Sequence, residues 1–163
     1  MRSPRPPLSL RALVDALESQ SDQMHAFVDP DTATVILVSD EALRAAESPG
    51  IAPLVDEAEL EAAHAVLATP GILNLPDRFE IDEYRMMVRF AEARPIATER
   101  DTLALALRGS GAFRRFKDAC YRLGIDQTWY AFRDAEYEAI AREWCDTHGL
   151  AWTRDAGVGG PHG

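Results

Sequence analysis

The sequence predicts an α+β fold that is mainly helical, with a small antiparallel sheet packed by C-terminal helices. The sheet is expected to consist of an N-terminal hairpin and a short third strand. Strand-like residue runs are confined to the first half of the chain, whereas apolar residues at helical spacing continue through the second half. Strands followed by a run of helices, rather than strict alternation, indicate α+β architecture.

The first helix and the hairpin have the clearest patterns. Ser9 can cap a helix whose apolar residues recur at i, i+3, i+4 and i+7, namely Leu10, Leu13, Val14 and Leu17. Residues 25–29 and 34–39 then flank a turn-forming segment at 30–33, and β-branched residues are concentrated in the second run. We therefore expect a helix followed by an antiparallel hairpin.

Two helices and a third strand are expected next. Residues 40–46 look helical, and the prolines and glycine at 48–53 end that helix. Asp56, with Glu59 three residues later, resembles a capping box that opens a helix to Ala68. The apolar run 72–76 lies between breakers and ends in proline, which suits a strand at the edge of a sheet.

The remainder of the domain is expected to be helical. One predicted helix has the stripe Ile81, Tyr84, Val88 and Ala91; a second begins at Thr98 with Asp101 as a capping pair and runs through Leu107. After the interruption at 109–111, a third has the stripe Phe113, Phe116, Cys120 and Leu123 and ends at Gly124. The last carries the stripe Tyr137, Ile140, Ala141, Trp144, Cys145 and His148, before Gly149 and a short extended piece at 150–152.

Length and composition limit the organisation of the chain. Its 163 residues suit a single globular domain over 8–152, with a flexible leader at 1–7 and a disordered tail at 153–163. Cys120 and Cys145 are too few for a disulfide scaffold and are expected to be buried thiols. No apolar run is long enough to span a membrane, and the N-terminal stretch contains charges that a signal peptide lacks, so a cytoplasmic protein is expected.

The net charge disfavours general nucleic-acid or anionic-membrane binding. The chain carries 17 basic and 27 acidic residues, a net of −10, so such binding would need a local basic patch. One segment qualifies: residues 108–122 hold five basic residues and only one acidic residue, Asp118. Within it, two glycines open a helix whose unpaired N–H groups could bind an anion. The candidate site for an anion or partner comprises Arg108, Gly109, Gly111, Arg114, Arg115 and Lys117.

Two interpretations of this segment remain open. In the structural alternative, Gly109 ends a helix, the phenylalanines lie in the core and the arginines pair with the chain's own acids. Arg133 is added to the candidate site because it follows the aromatic residues Trp129, Tyr130 and Phe132, which could stack a ring beside it. Here too the alternative is structural: buried aromatic residues, Asp134 as a helix cap and Arg133 paired internally.

Catalytic and metal-binding patterns are sparse. The four histidines are scattered without metal-ligand spacing. Glu80, Asp82 and Glu83 could supply paired carboxylates, but the preference for acids in the first turn of a helix also accounts for them. We therefore predict no catalytic residue, no metal site and no cofactor.

Several segments resemble a bacterial family known as Uncharacterised Protein Family 0158. They are Leu107-Arg108-Gly109 through Lys117-Asp118, the run Trp129-Tyr130-Ala131-Phe132-Arg133-Asp134 with Tyr137 and Trp144-Cys145, and, more loosely, residues 23–29, Leu75-Pro76 and 84–87. The likeness covers most of residues 8–152 and implies no established activity. Ser110 departs from the family, whose members often have a basic residue there.

The preferred hypothesis is a non-enzymatic binding or regulatory module that holds an anionic group of a ligand or protein partner at residues 108–117. Nucleic acid is a less favoured partner because of the net charge. The alternative is an enzyme acting on a phosphorylated or carboxylated small molecule in a cleft near Arg108, Arg133 and Asp134. In a third hypothesis, the acidic half at 1–76, with a net charge of −8, meets a basic partner.

Overall fold

The computed structural model describes residues 4–48, 50 and 55–154 and confirms the mainly helical α+β fold. In chain order its elements are β1 (Leu8–Ser9), α1 (Leu10–Ser19), β2 (Met24–Asp29), β3 (Thr34–Ser39), α2 (Asp40–Glu47), α3 (Glu57–Ala68), β4 (Leu73–Asn74), α4 (Arg78–Ile81), α5 (Glu83–Ala93), α6 (Ala97–Ala106), α7 (Ala112–Arg122), α8 (Asp126–Thr147) and β5 (Trp152–Thr153). Among the helices of these described residues, none is both long and apolar enough to cross a bilayer.

The chain divides into two compact units, whereas the sequence predicts a single domain over 8–152. One unit comes from residues 1–81 and 138–163, and the other from residues 82–137. Residues 1–3 of the predicted leader and 155–163 of the predicted tail lie outside the described residues. Thr153, at the start of that predicted tail, belongs to β5.

The first unit contains the sheet. The hairpin of β2 and β3 forms as predicted, with Phe27 opposite Ile36, and β4 pairs antiparallel with the other side of β2. The strand order is therefore β3-β2-β4, with the short third strand at an edge as expected. A separate parallel pair joins β1 to β5.

Capping side chains and buried apolar residues explain the helices of this unit. The Ser9 hydroxyl accepts a hydrogen bond from the Ala12 N–H at 3.1 Å, as the predicted N-cap of α1 should. Asp56 caps α3 in the same way, accepting from the Glu59 N–H at 2.8 Å. A core cluster of α2, α3 and β3 contains the buried residues Val38, Ala42, Ala46, Ala63 and Val66.

The second unit is built around aromatic residues of α5, α7 and α8. The Phe116 and Trp129 rings meet edge to face with centroids 4.9 Å apart, and Phe90 contacts both. Edge-to-face contacts of this kind add to the stabilisation from buried area. Cys120 is a buried free thiol in this unit, and Cys145 is a buried free thiol in the first unit, as predicted.

Three sequence predictions in this part of the chain are wrong. The apolar stripe predicted to begin at Ile81 is interrupted, because Asp82 has φ +54° and separates α4 from α5. Tyr84 of that stripe is therefore exposed. The buried residues of α5 are instead Met86, Met87, Phe90 and Ala91. Thr98 is not a cap, since α6 begins after Ile96 without a side-chain cap. Asp134 lies inside α8, which begins at Asp126, and therefore caps no helix.

Candidate anion-binding site

The turn between α6 and α7 requires its two glycines. Gly109 has φ +71° and Gly111 has φ +77°, in the left-handed region that strains other residues. A side chain at Gly111 would also be sterically crowded, because its Cβ would lie 3.0 Å from Nη1 of Arg115. Gly111 is the N-cap of α7 and has no side chain to accept from the N–H groups of the first turn.

Arg115 holds this turn together through hydrogen bonds to the main chain. Its Nε donates to the carbonyl of Ala106 at 3.2 Å, and its Nη1 and Nη2 donate to the carbonyls of Ser110 and Arg108. These carbonyls belong to the end of α6 and the turn that follows, where helical partners are lacking. Arg115, which the sequence places among the anion-binding residues, therefore braces the turn.

Three other cations at this turn lack the hydrogen bonds that Arg115 makes, namely Arg108, Arg114 and Lys117. All three are exposed, and within the described part of the chain their side chains make no hydrogen bond or ion pair. Arg114 and Lys117 are three residues apart on α7 and so lie on one side of it. The turn thus presents cationic side chains beside the N-terminus of α7.

A cleft of about 330 Å³ adjoins the turn within the same unit. The phenol of Tyr84 donates to the carbonyl of Leu107 at 2.9 Å and fixes the start of the turn against α5. Most of the lining is apolar or aromatic, with Arg108 and Glu92 as its charged residues; the full lining is Tyr84, Val88, Ala91, Glu92, Ala104, Leu107, Arg108 and Gly109. The volume is at the lower end of the range for small-ligand pockets.

Arg133 lies in an internal cluster. Its Nη2 donates to Oε1 of Glu83 at 3.0 Å, and the phenol of Tyr137 donates to the same oxygen at 2.7 Å. The guanidinium carbon of Arg133 also lies 4.5 Å from the centre of the Tyr137 ring. Burial alone would raise the pKa of Glu83, but the hydrogen bonds from Arg133 and Tyr137, with the charges of Arg133 and Lys117, lower that pKa below its usual value.

The residues proposed for the enzymatic alternative do not meet in the cleft beside the turn. Arg108 lines that cleft, whereas Arg133 contacts Glu83 and Asp134 is exposed on α8. Ring stacking by Trp129 is also excluded, because this side chain is only 1% exposed and packs among other aromatic rings.

Sequence reasoning missed Glu83 and Tyr84 as the residues that order this region. For Glu83 the sequence gives a partial indication: Arg133 and Tyr137 are four residues apart, share one face of α8 and could both donate to one carboxylate. Across the described residues, no group of three or more His, Cys, Asp or Glu side chains is arranged to hold a metal ion.

Comparison with protein-family models, with curated proteins and with solved structures finds no match to this chain. The resemblance to Uncharacterised Protein Family 0158 therefore stays a prediction.

Proposed function

We propose that this chain is a binding protein, without catalytic activity of its own, that holds an anionic group at the turn between α6 and α7. The groups that would contact the anion are the side chains of Arg108, Arg114 and Lys117 and the first N–H groups of α7. We call this set the basic turn. Gly109 and Gly111 give the basic turn its shape, and Arg115 braces it.

The observation that carries this proposal is that, among the described residues of an acidic chain, three cations make no hydrogen bond or ion pair. Residues 82–137 hold ten basic and nine acidic residues, a net of +1, whereas the other residues hold seven and eighteen, a net of −11. Within the second unit, Arg89, Arg94 and Arg133 each pair with a glutamate. Acids are thus plentiful, yet in the described residues none of them makes a hydrogen bond or an ion pair with Arg108, Arg114 or Lys117, and Lys117 acts on Glu83 through its charge alone.

The chemistry of these groups favours a carboxylate or a phosphate. A guanidinium offers N–H donors in a planar fork that matches both anions, and the N-terminus of a helix adds a favourable dipole. Arg108 also lines the largely apolar cleft of about 330 Å³, so the anion can belong to a ligand with an apolar part. The partner would then be a protein or small molecule that presents a carboxylate or phosphate beside an apolar group.

Charge reversal at the basic turn tests this proposal. The variant combines Arg108→Glu, Arg114→Glu and Lys117→Glu, and binding of inorganic phosphate and of acetate is measured by calorimetry at constant ionic strength. Since charge-assisted hydrogen bonds contribute roughly 1.5–3 kcal/mol each, we expect at least a tenfold loss of affinity for the anion that binds.

Because the triple variant lowers the net charge by six, Arg122→Glu is compared with the single variant Arg114→Glu, and each of these two substitutions lowers the net charge by two. Arg122 is exposed at the other end of α7 and has no partner among the described residues, so its reversal should leave anion affinity within about twofold of wild type. Circular dichroism verifies that all three variants are folded. Equal losses in Arg114→Glu and Arg122→Glu would mean that net charge, rather than the basic turn, attracts the anion, and the proposal would be wrong.

A further inference from the structure

Strand β3 forms one edge of the three-stranded sheet in the first unit. The strand has the sequence Thr-Val-Ile-Leu-Val-Ser and contains no charged residue, proline or glycine. Leu37, in the middle of the strand, is 37% exposed. Natural proteins usually protect such edges with charges, prolines or bulges, because an open edge offers hydrogen-bonding groups to another strand.

The pairing of β3 with β2 identifies the groups on the outer edge. The Asp40 N–H donates to the carbonyl of Gln23 at 2.9 Å, directly beyond the opposed pair Ser39 and Met24. In an antiparallel ladder the residues alternate, so the even-numbered residues of β3 bond to β2. The N–H and C=O groups of Val35 and Leu37 consequently point outward, and no other described segment bonds to them.

A groove lies beside this edge. It has a volume of about 300 Å³ between α1 and β3, and it is lined by Ala12, Asp15, Ala16, Ser19, Val35 and Leu37. The two residues with outward backbone groups thus also place their side chains along the groove. An added strand would therefore gain backbone hydrogen bonds and apolar contacts at the same place.

We propose that a second copy of this chain pairs with β3, antiparallel, and that the two sheets become one six-stranded sheet. The two-fold axis is perpendicular to the sheet and lies midway between the two copies of Ile36. Directly opposed residues point to the same face of a sheet, and this axis keeps the groove side of both copies on one face. A residue must therefore lie opposite a residue of the same face, so Ile36 can lie opposite Ile36 but not opposite Leu37. In this register Val35 of each copy lies opposite Leu37 of the other, and each pair exchanges two hydrogen bonds.

The properties of the strand favour a second copy over another partner. On the face of the groove, Val35 and Leu37 of both copies would form one apolar patch, and no charge on either strand would be buried by the pairing. The turn at 30–33 and the start of α2 at Asp40 limit the edge to six residues, the length that a second β3 supplies. Because each copy is acidic overall, added salt should strengthen self-association by screening the repulsion between the two copies. A complex with a basic partner would instead be weakened by salt, because salt also screens attraction.

Sedimentation velocity over a concentration series tests the proposal with the full chain. We expect a dimer whose dissociation constant rises by about 100-fold or more in Leu37→Lys, because pairing would remove an ammonium from water while the one acid among the residues that line the groove, Asp15, is exposed. Leu67→Lys is the matched control because Leu67 is an exposed leucine of the same unit, on α3. A wild type that stays monomeric at all concentrations, or a dimer that Leu37→Lys leaves unchanged, would overturn the proposal.

Disulfide cross-linking tests the register. Ile36→Cys places two thiols at the axis, where opposed Cβ atoms of an antiparallel pair are about 4.5–5.5 Å apart, and we expect a covalent dimer on mild oxidation. Thr34→Cys should not cross-link, because residue 34 would lie opposite residue 38. Equal cross-linking of both variants, or none in Ile36→Cys when sedimentation shows a dimer, would contradict this register.

Discussion

Two adjacent arginines at the start of α7 are expected to respond in opposite ways to the same substitution. Arg115 donates three hydrogen bonds to main-chain carbonyls of α6 and the following turn, whereas the side chain of Arg114 makes none within the described residues. Arg115→Ala should therefore destabilise the protein. Arg114→Ala should leave stability unchanged or raise it slightly, because it removes a cation from the positive end of a helix dipole.

The size of the effect follows from the exposure of the hydrogen bonds. A hydrogen bond from a charged donor contributes roughly 1.5–3 kcal/mol when it is shielded, and much less when water can replace it. Two of the bonds of Arg115 are exposed, and the bond to Ala106 is partly buried. We expect Arg115→Ala to lower the free energy of unfolding by about 1–2 kcal/mol, and Arg114→Ala to change it by less than about 0.5 kcal/mol.

Urea unfolding followed by circular dichroism measures both values, and hydrogen exchange locates the change. The amides at the end of α6 and in the turn should exchange faster in Arg115→Ala and at the wild-type rate in Arg114→Ala. If the two variants differ by less than about 0.3 kcal/mol, the assignment of Arg115 as a brace is refuted.

Three further predictions concern other residues of the described structure. Because the pKa of Glu83 is lowered in the folded state, the ionised carboxylate stabilises the fold above the ordinary carboxyl range, and this stabilisation is lost as pH falls through the lowered pKa. Glu83→Gln should therefore have a lower free energy of unfolding than wild type near pH 7, and the difference should shrink in acid. Urea unfolding at several pH values that shows a constant difference would contradict this. Gly111→Ala should lower the free energy of unfolding by about 1–2 kcal/mol and Gly109→Ala by about 1 kcal/mol, because both positions have positive φ but only a Cβ at position 111 would crowd Arg115. Chemical denaturation that gives the reverse order would exclude the steric explanation. Burial raises the pKa of the Cys120 and Cys145 thiols to about 11, so a disulfide reagent at about pH 8 should react with the native protein at least about 100-fold more slowly than with the urea-unfolded protein; fast labelling of the native state would show that the thiols are accessible.

Local patterns predicted the first half of the fold well. Ser9, Asp56 and the β-branched run at 34–39 act through neighbours close in sequence, so their caps and pairing could be inferred without coordinates. The buried face of α5 could not be inferred, because Asp82 adopts a left-handed conformation that breaks the apolar stripe. Contacts of Phe90 with distant rings, rather than spacing along the helix, then determine which face is buried.

The candidate site was predictable in outline only. The two glycines and the cluster of basic residues mark the turn, and the structure places Gly109 and Gly111 with positive φ. Sequence could not distinguish Arg114 from Arg115, since the choice depends on which guanidinium reaches the carbonyls of α6. It also could not show that Arg133 is engaged by Glu83, a residue fifty positions earlier in the chain.

Residue-resolved NMR titration with inorganic phosphate and with acetate is the most direct test of anion binding by the basic turn. At constant ionic strength, at least one of the two anions should produce saturable shifts of the amides of residues 111–114. The shifts should disappear in the triple variant Arg108→Glu, Arg114→Glu and Lys117→Glu, and remain in Arg122→Glu. Shifts that are absent with both anions, that never saturate, or that persist in the triple variant would contradict the account.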